Sequence, residues 1–152
     1  ADFGTGSGRP ENIYPASSDI LSKTTKDANG KDRLPNGNYI QKTSQHFVII
    51  TDDSSAETAL ISMYSSQSKV SRKWNSMMMS ITKNGKDGPY TPPPFSHYYK
   101  ISSVENTGKG NQWYGYNIVK VGEVTDANVY KRAKTFYESC RRGDSSVNGS
   151  AK

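Results

Sequence analysis

Phe47-Val48-Ile49-Ile50-Thr51-Asp52-Asp53-Ser54-Ser55-Ala56-Glu57-Thr58-Ala59-Leu60-Ile61-Ser62-Met63-Tyr64 is the stretch on which the fold turns. Its opening apolar run closes a long segment, Tyr39–Thr51, of the kind a well-buried strand shows. Asp52–Ser55 reads as a polar turn, and Thr58–Tyr64 as the returning arm of a hairpin. Immediately afterwards the period changes. From Ser66 onward Val70, Trp74, Met77, Met78 and Ile81 recur at helical spacing, with Lys69, Arg72 and Lys73 on the opposite face. Asn84-Gly85 reads as the end of that helix.

Beyond it lies a glycine- and proline-rich loop through Pro92-Pro93-Pro94. Phe95–Val104 and Gln112–Val124 read as two more strands, joined by an Asn106–Asn111 loop. Both faces of the second are partly apolar, so alternation alone does not say which is buried. Thr125 or Asp126 caps a last helix to about Arg142, striped by Tyr130, Ala133, Phe136, Tyr137 and Cys140. Upstream, Ser18–Lys26 has the form of a short helix, and Asn29-Gly30 and Asn36-Gly37 are turn signals.

The order strand, strand, helix, strand, strand, helix makes a mainly β chain with two helices, an α+β domain. Two architectures fit: an oligonucleotide-binding-fold-like barrel, with its helix between strand pairs, or an antiparallel sheet covered by helices. The barrel is one strand short, so either an N-terminal strand is missing or the long first strand bends and serves twice. The expected organisation is a flexible lead-in at 1–17, one nucleic-acid-binding domain at 18–142 and a disordered tail at 143–152. The Gly4–Gly8 opening without an initiator Met reads as that of a fragment.

At 152 residues the chain fits one domain, and only 32% of it is hydrophobic. Ten of the sixteen aromatic residues are Tyr, which pairs an apolar face with a hydroxyl; strand preference alone explains part of that excess. Net charge is +6 but uneven: residues 1–68 hold six Lys/Arg against eight Asp/Glu, residues 69–142 thirteen against five. The second half suits a polyanion. There is no lipidation motif or long apolar run to address it to a membrane. A lone cysteine, Cys140, excludes an internal disulfide and fits a reducing compartment.

A convergent catalytic set is not visible. His46 and His97 share no metal-ligand spacing with each other or with Cys140. Asp52, Asp53 and Glu57 offer a divalent-metal nuclease reading, but their setting is that of a solvated turn. No phosphate loop or nucleophile elbow occurs. The chain reads as a binder rather than an enzyme, with no catalytic residues, no metal and no cofactor.

Two segments fit binding. In Ser68–Met79, Lys69, Arg72 and Lys73 suit phosphate contacts, or equally the solvated face of an ordinary amphipathic helix. In Lys83–Lys100, cations, rigid prolines and aromatics are interleaved, as single-strand binders require. Lys83, Lys86 and Lys100 are the cations there. Tyr90, His97 and Tyr98 are stacking candidates, joined by Trp113 or Tyr114 on opposite faces of the following strand. A proline-pinned loop whose aromatics cover the core is the plainer alternative.

Leu34–Tyr39, Ser71–Ile81, Asn84–Pro93 and Trp113-Tyr114-Gly115-Tyr116 together resemble a family of bacteriophage proteins, usually described as single-stranded-DNA-binding and drawn from replication and recombination modules. The resemblance spans about residues 30–140. It implies non-sequence-specific binding of single-stranded DNA in the cytoplasm of the infected bacterial host, with RNA and self-association left open. The end, Ser145–Lys152, carries no acidic run, so recruitment of replication enzymes by such a tail is not expected. A protein-interaction or assembly component, docking through its aromatic strands and proline-rich loop, is the alternative.

Overall fold

The structure, a computed structural model, describes residues 12–52 and 55–143. The expected lead-in up to residue 11, Asp53 and the tail from residue 144 lie outside the described residues. The chain divides after Gln41 into two compact units.

The first unit is built on turns. Ser18 accepts the Ile20 N–H and caps a 3-10 turn at Asp19–Lys23, where the sequence pointed to a short helix. β1 (Thr25–Lys26) pairs antiparallel with β2 (Asp32–Arg33). The loop between them closes on Asp27, whose carboxylate accepts from Lys31 N–H, Asn29 N–H and Arg33 Nε. These bonds, led by that from Lys31, hold its carboxyl below the usual range. Gly30 and Gly37 adopt positive φ at the two Asn-Gly turns, as those dipeptides predict.

The second unit carries two long hairpins and both helices. β3 (Thr43–Thr51) pairs with β4 (Ala56–Tyr64), Phe47 opposite Leu60. Asp52 closes their turn by accepting from the Ser55 backbone and hydroxyl, so its carboxylate is spent on the loop and Glu57 sits in the ladder opposite Ile50. Ser65, at φ 52°, turns the chain out of β4, and a short 3-10 turn (Ser65–Gln67) leads into α1 (Ser68–Met79). The helix stops a turn earlier than its periodicity predicts, because Ser80 caps it and bonds back to Met77 O.

The segment expected to be an open loop is partly ordered as β5 (Lys83–Gly85) and β6 (Gly88–Tyr90), a small hairpin. Pro92 is buried, and a 3-10 turn at Pro94–Ser96 follows. β7 (His97–Gly108) and β8 (Asn111–Glu123) then form the longest hairpin. The Asn106–Asn111 loop shrinks to a two-residue turn, Lys109-Gly110, both at positive φ. That is a type I′ turn, whose twist matches the strands it joins. α2 (Ala127–Arg142) is capped by Asp126, which accepts from Asn128 and Val129 N–H, and ends at Gly143 in the left-handed region.

The mainly β, two-helix α+β class is therefore observed. Among the described residues the strands pair only within four two-stranded antiparallel hairpins and close no barrel. No helix of the described residues is long and apolar enough to cross a membrane.

α1 is what joins the two long hairpins. Its inner face sets Trp74 and Ser71 against Met63 of β4 and Ile118 of β8, with Val48, Ile61, Val70, Met77, Met78, Tyr99 and Ile101 around them. α2 packs separately: Tyr130 and Tyr137 flank Phe95, and Phe136 meets the edge of Phe47.

A core this small is sensitive to each member. Met63→Ala, at a fully buried position, is expected to cost about 2–5 kcal/mol. Chemical denaturation of the two proteins checks this; a loss under about 1 kcal/mol would mean that Met63 is not the keystone.

Candidate functional site

Two surfaces of the second unit stand out: the outer face of α1 and the distal half of the β7–β8 hairpin. On α1, Lys69, Arg72 and Lys73 are exposed and lie opposite the buried Ser71 and Trp74. Their spacing makes them i, i+3 and i+4 neighbours on one helix face, a like-charged stripe that costs the helix a few tenths of a kcal/mol per pair. None of the three has an ion-pair partner among the described residues. The first unit differs, because Lys23, Lys26 and Arg33 are each matched there by an aspartate.

Lys83, Tyr90 and His97 gather at the base of the long hairpin. Lys83 lies opposite Tyr90 across the β5–β6 ladder, and His97 lies opposite Glu123 across the β7–β8 ladder. Lys83 Nζ donates to Glu123 Oε1. That bond raises the lysine above its ordinary value and lowers the glutamate. Lys83 thus pins the small hairpin to the large one, and its charge is already answered. His97 Nδ1 lies 2.7 Å from Ser96 Oγ. Lys86 is exposed in the β5–β6 turn, Tyr90 is exposed, Tyr98 is half-buried and Lys100 is exposed opposite Val119.

The hairpin leaves the core as it lengthens. Ile118, buried, faces Ile101 across the ladder. Two and four residues earlier on the same face, Tyr116 and Tyr114 are 41% and 74% exposed. The opposite face carries Trp113, whose ring lies against Gly108, and Val104, both exposed; nearer the base of the hairpin Val119 and Val121 are open to solvent. The distal ribbon therefore exposes large side chains on both faces, with Gly115 buried between them, and alternation could not choose a buried face. Trp113 and Tyr114 occupy opposite faces, as their adjacency requires.

Gln67 is the residue that sequence reasoning missed. Its Oε1 accepts the Tyr116 N–H at 2.9 Å, and a Cβ on Gly115 would come within 2.4 Å of its Nε2. A glycine inside an aromatic strand was the available signal, since it marks a close approach by another group. Among the described residues no group of three or more His, Cys, Asp or Glu is placed to hold a metal.

His46 sits in a different place, at the seam between β3 and α1. Its ring stacks on Trp74 at 4.7 Å, and Nε2 lies 2.8 Å from Ser71 Oγ. Burial holds its pKa below the ordinary value.

Residues 5–146 match the family described as Pam3 phage gp34-like protein. The chain belongs to that family. It is a phage protein, as its motif strings implied; the family description says nothing of what its members bind. No curated protein and no solved structure matches the chain.

The His46 seam generates a pH dependence. The folded state resists the proton, so the unfolded chain binds it more readily and stability rises with pH through this window. The contribution is complete above the ordinary imidazole value, roughly 6.5, and is lost as pH falls toward the lower folded value. His46→Gln is expected to flatten this part of the stability–pH curve between about pH 5 and 7. Urea midpoints across that range check it, and parallel curves for the two proteins would refute it.

Proposed function

We propose that the chain is an assembly component of a phage, docking on protein partners through its β7–β8 ribbon. The observation that carries this reading is the set of exposed large side chains on the distal ribbon, Trp113 and Val104 on one face and Tyr114 and Tyr116 on the other. Isolated exposed hydrophobes are ordinary on a protein surface, whereas a contiguous set marks an interaction site. Tyr and Trp are also the side chains that anchor interfaces, because each brings a large flat area at low entropic cost. Strand pairing that stops at two members leaves backbone groups available for strand addition as well. This reading needs no cofactor and no catalytic group, and it has the chain act in the cytoplasm of the infected host during assembly.

A second reading is non-sequence-specific binding of single-stranded DNA or RNA in phage replication or recombination. The observation that favours it is the unanswered cationic stripe of Lys69, Arg72 and Lys73, with Lys86 and Lys100 as further phosphate contacts. Tyr90, His97, Tyr98, Trp113 and Tyr114 would supply stacking faces. In its full form it calls for an oligonucleotide-binding-fold-like groove, and pairing confined to hairpins supports that less well than it supports docking.

One pair of titrations separates the two. Under docking, binding to partner proteins of the same phage survives nuclease treatment, and Trp113→Ser with Tyr114→Ser weakens it at least about tenfold, or ~1.4 kcal/mol. Under strand binding, affinity for a labelled oligonucleotide falls with salt at a log–log slope of about −0.7 per phosphate neutralised. Replacing Lys69, Arg72 and Lys73 with Ala would then flatten that slope by roughly two. Protein complexes that dissolve on nuclease treatment, together with such a slope, would overturn the docking reading.

A further inference from the structure

The β7–β8 hairpin has two edges, and they are not alike. Its two-residue turn fixes which backbone groups point where. The closing pair, Gly108 with Asn111, is hydrogen-bonded, and hydrogen-bonded and open pairs then alternate along the ladder. Tyr116, opposite Ser103, falls in an open pair, so its N–H points outward. The bond from Tyr116 N–H to Gln67 Oε1 agrees with that phase. On the β8 side that outward group is therefore taken by Gln67, at the point where α1 and its leading turn pack.

On the β7 side the outward groups belong to Ile101, Ser103, Glu105 and Thr107, by the same alternation. Among the described residues no other element exchanges a backbone hydrogen bond with these four. Ser102, Ser103, Val104, Glu105 and Thr107 are exposed. The devices that usually blunt an edge are nearly missing here: residues 101–107 contain no Pro and no Lys, and Glu105 is the single charge.

We infer that β7 is a strand-addition edge whose partner is β7 of a second copy of this chain, paired antiparallel about Ser103. This inference rests on the docking reading and names one of its partners. The occupant follows from self-complementarity. Antiparallel pairing must match outward residues with outward residues, and a two-fold axis at Ser103 sets Ser103 against its own symmetry mate. Glu105 then faces Ile101 of the partner copy, and Asn106 faces Lys100, with Val104 opposite Ser102. No two like charges meet, and the lone carboxylate of the edge is kept apart from its mate. A two-fold axis makes the contact isologous, the commonest form of homo-dimer.

The test uses the whole chain. Ser103→Pro removes an N–H that the hairpin itself does not use, and proline is tolerated on strand edges at such positions. Sedimentation should show wild type as a dimer at about 100 µM, a concentration that populates a micromolar complex. Ser103→Pro should be monomeric with an unchanged circular dichroism spectrum. As a second measure, Ser103→Cys in a Cys140→Ser background should form an intermolecular disulfide, because facing residues lie about 5.5 Å apart. Glu105→Cys should not, since its mates lie roughly 13 Å apart along the ladder. A monomeric wild type, a dimer that Ser103→Pro leaves intact, or equal cross-linking at 105 would each overturn the inference. None of those results touches the Trp113 and Tyr114 titration, so the docking reading stands or falls separately.

Discussion

The stacking of α1 between the two long hairpins, centred on Trp74, is the contact on which the second unit depends. Among the described residues, strand hydrogen bonding holds each hairpin to itself but joins none of them to another. Side-chain packing must therefore do what a continuous sheet does elsewhere, and it falls to Trp74, Met63, Ile118 and the half-buried residues around them. Apolar burial is non-directional and scales with area, so a seam of this size leaves little reserve. Two polar atoms inside it, Trp74 Nε1 and Tyr99 Oη, find no protein hydrogen-bond partner among the described residues. Burial also pushes the Tyr99 phenol up, so it stays neutral.

The placement of α1 has an electrical side. Because Ser71 and Trp74 face inward, Lys69, Arg72 and Lys73 have to face outward, and the helix displays its charge to solvent. The first unit treats its cations differently, closing Lys23, Lys26 and Arg33 each onto an aspartate and laying Lys31 over the Tyr39 ring. The unevenness of charge along the chain is thus sharpened by folding. Pairing hides much of it in residues 12–41, and the stripe on α1 leaves it open.

Much of this was legible in the residues. The Phe47–Ile50 run, the shift to helical spacing after Ser66 and the Asp126 cap specified hairpin, helix and helix in the right order, because each rests on local periodicity or a local hydrogen bond. What escaped was set by tertiary partners. The turn at Lys109-Gly110 was hidden because lysine is an unusual residue at positive φ, so six residues passed for a loop. The β5–β6 hairpin is held by the Lys83–Glu123 pair, forty residues apart in sequence, and nothing local announces it. Of the candidate site, the α1 stripe was readable from spacing, and the opposed faces of Trp113 and Tyr114 from adjacency. Lys83 was not, since its free or answered charge depends on a distant carboxylate. Periodicity also could not see where β8 leaves the core, which is what turns Tyr114 outward while Ile118, on the same face, stays in.

Gln67 bears on growth. A hairpin with both flanks bare could recruit a strand on each side and propagate into a fibre. One side-chain amide seated against Tyr116, with Gly115 leaving room for it, makes the ribbon lopsided. Any strand added along β8 would meet that amide at Tyr116, whereas one added along β7 meets no such side chain, so growth from the two flanks is not equivalent.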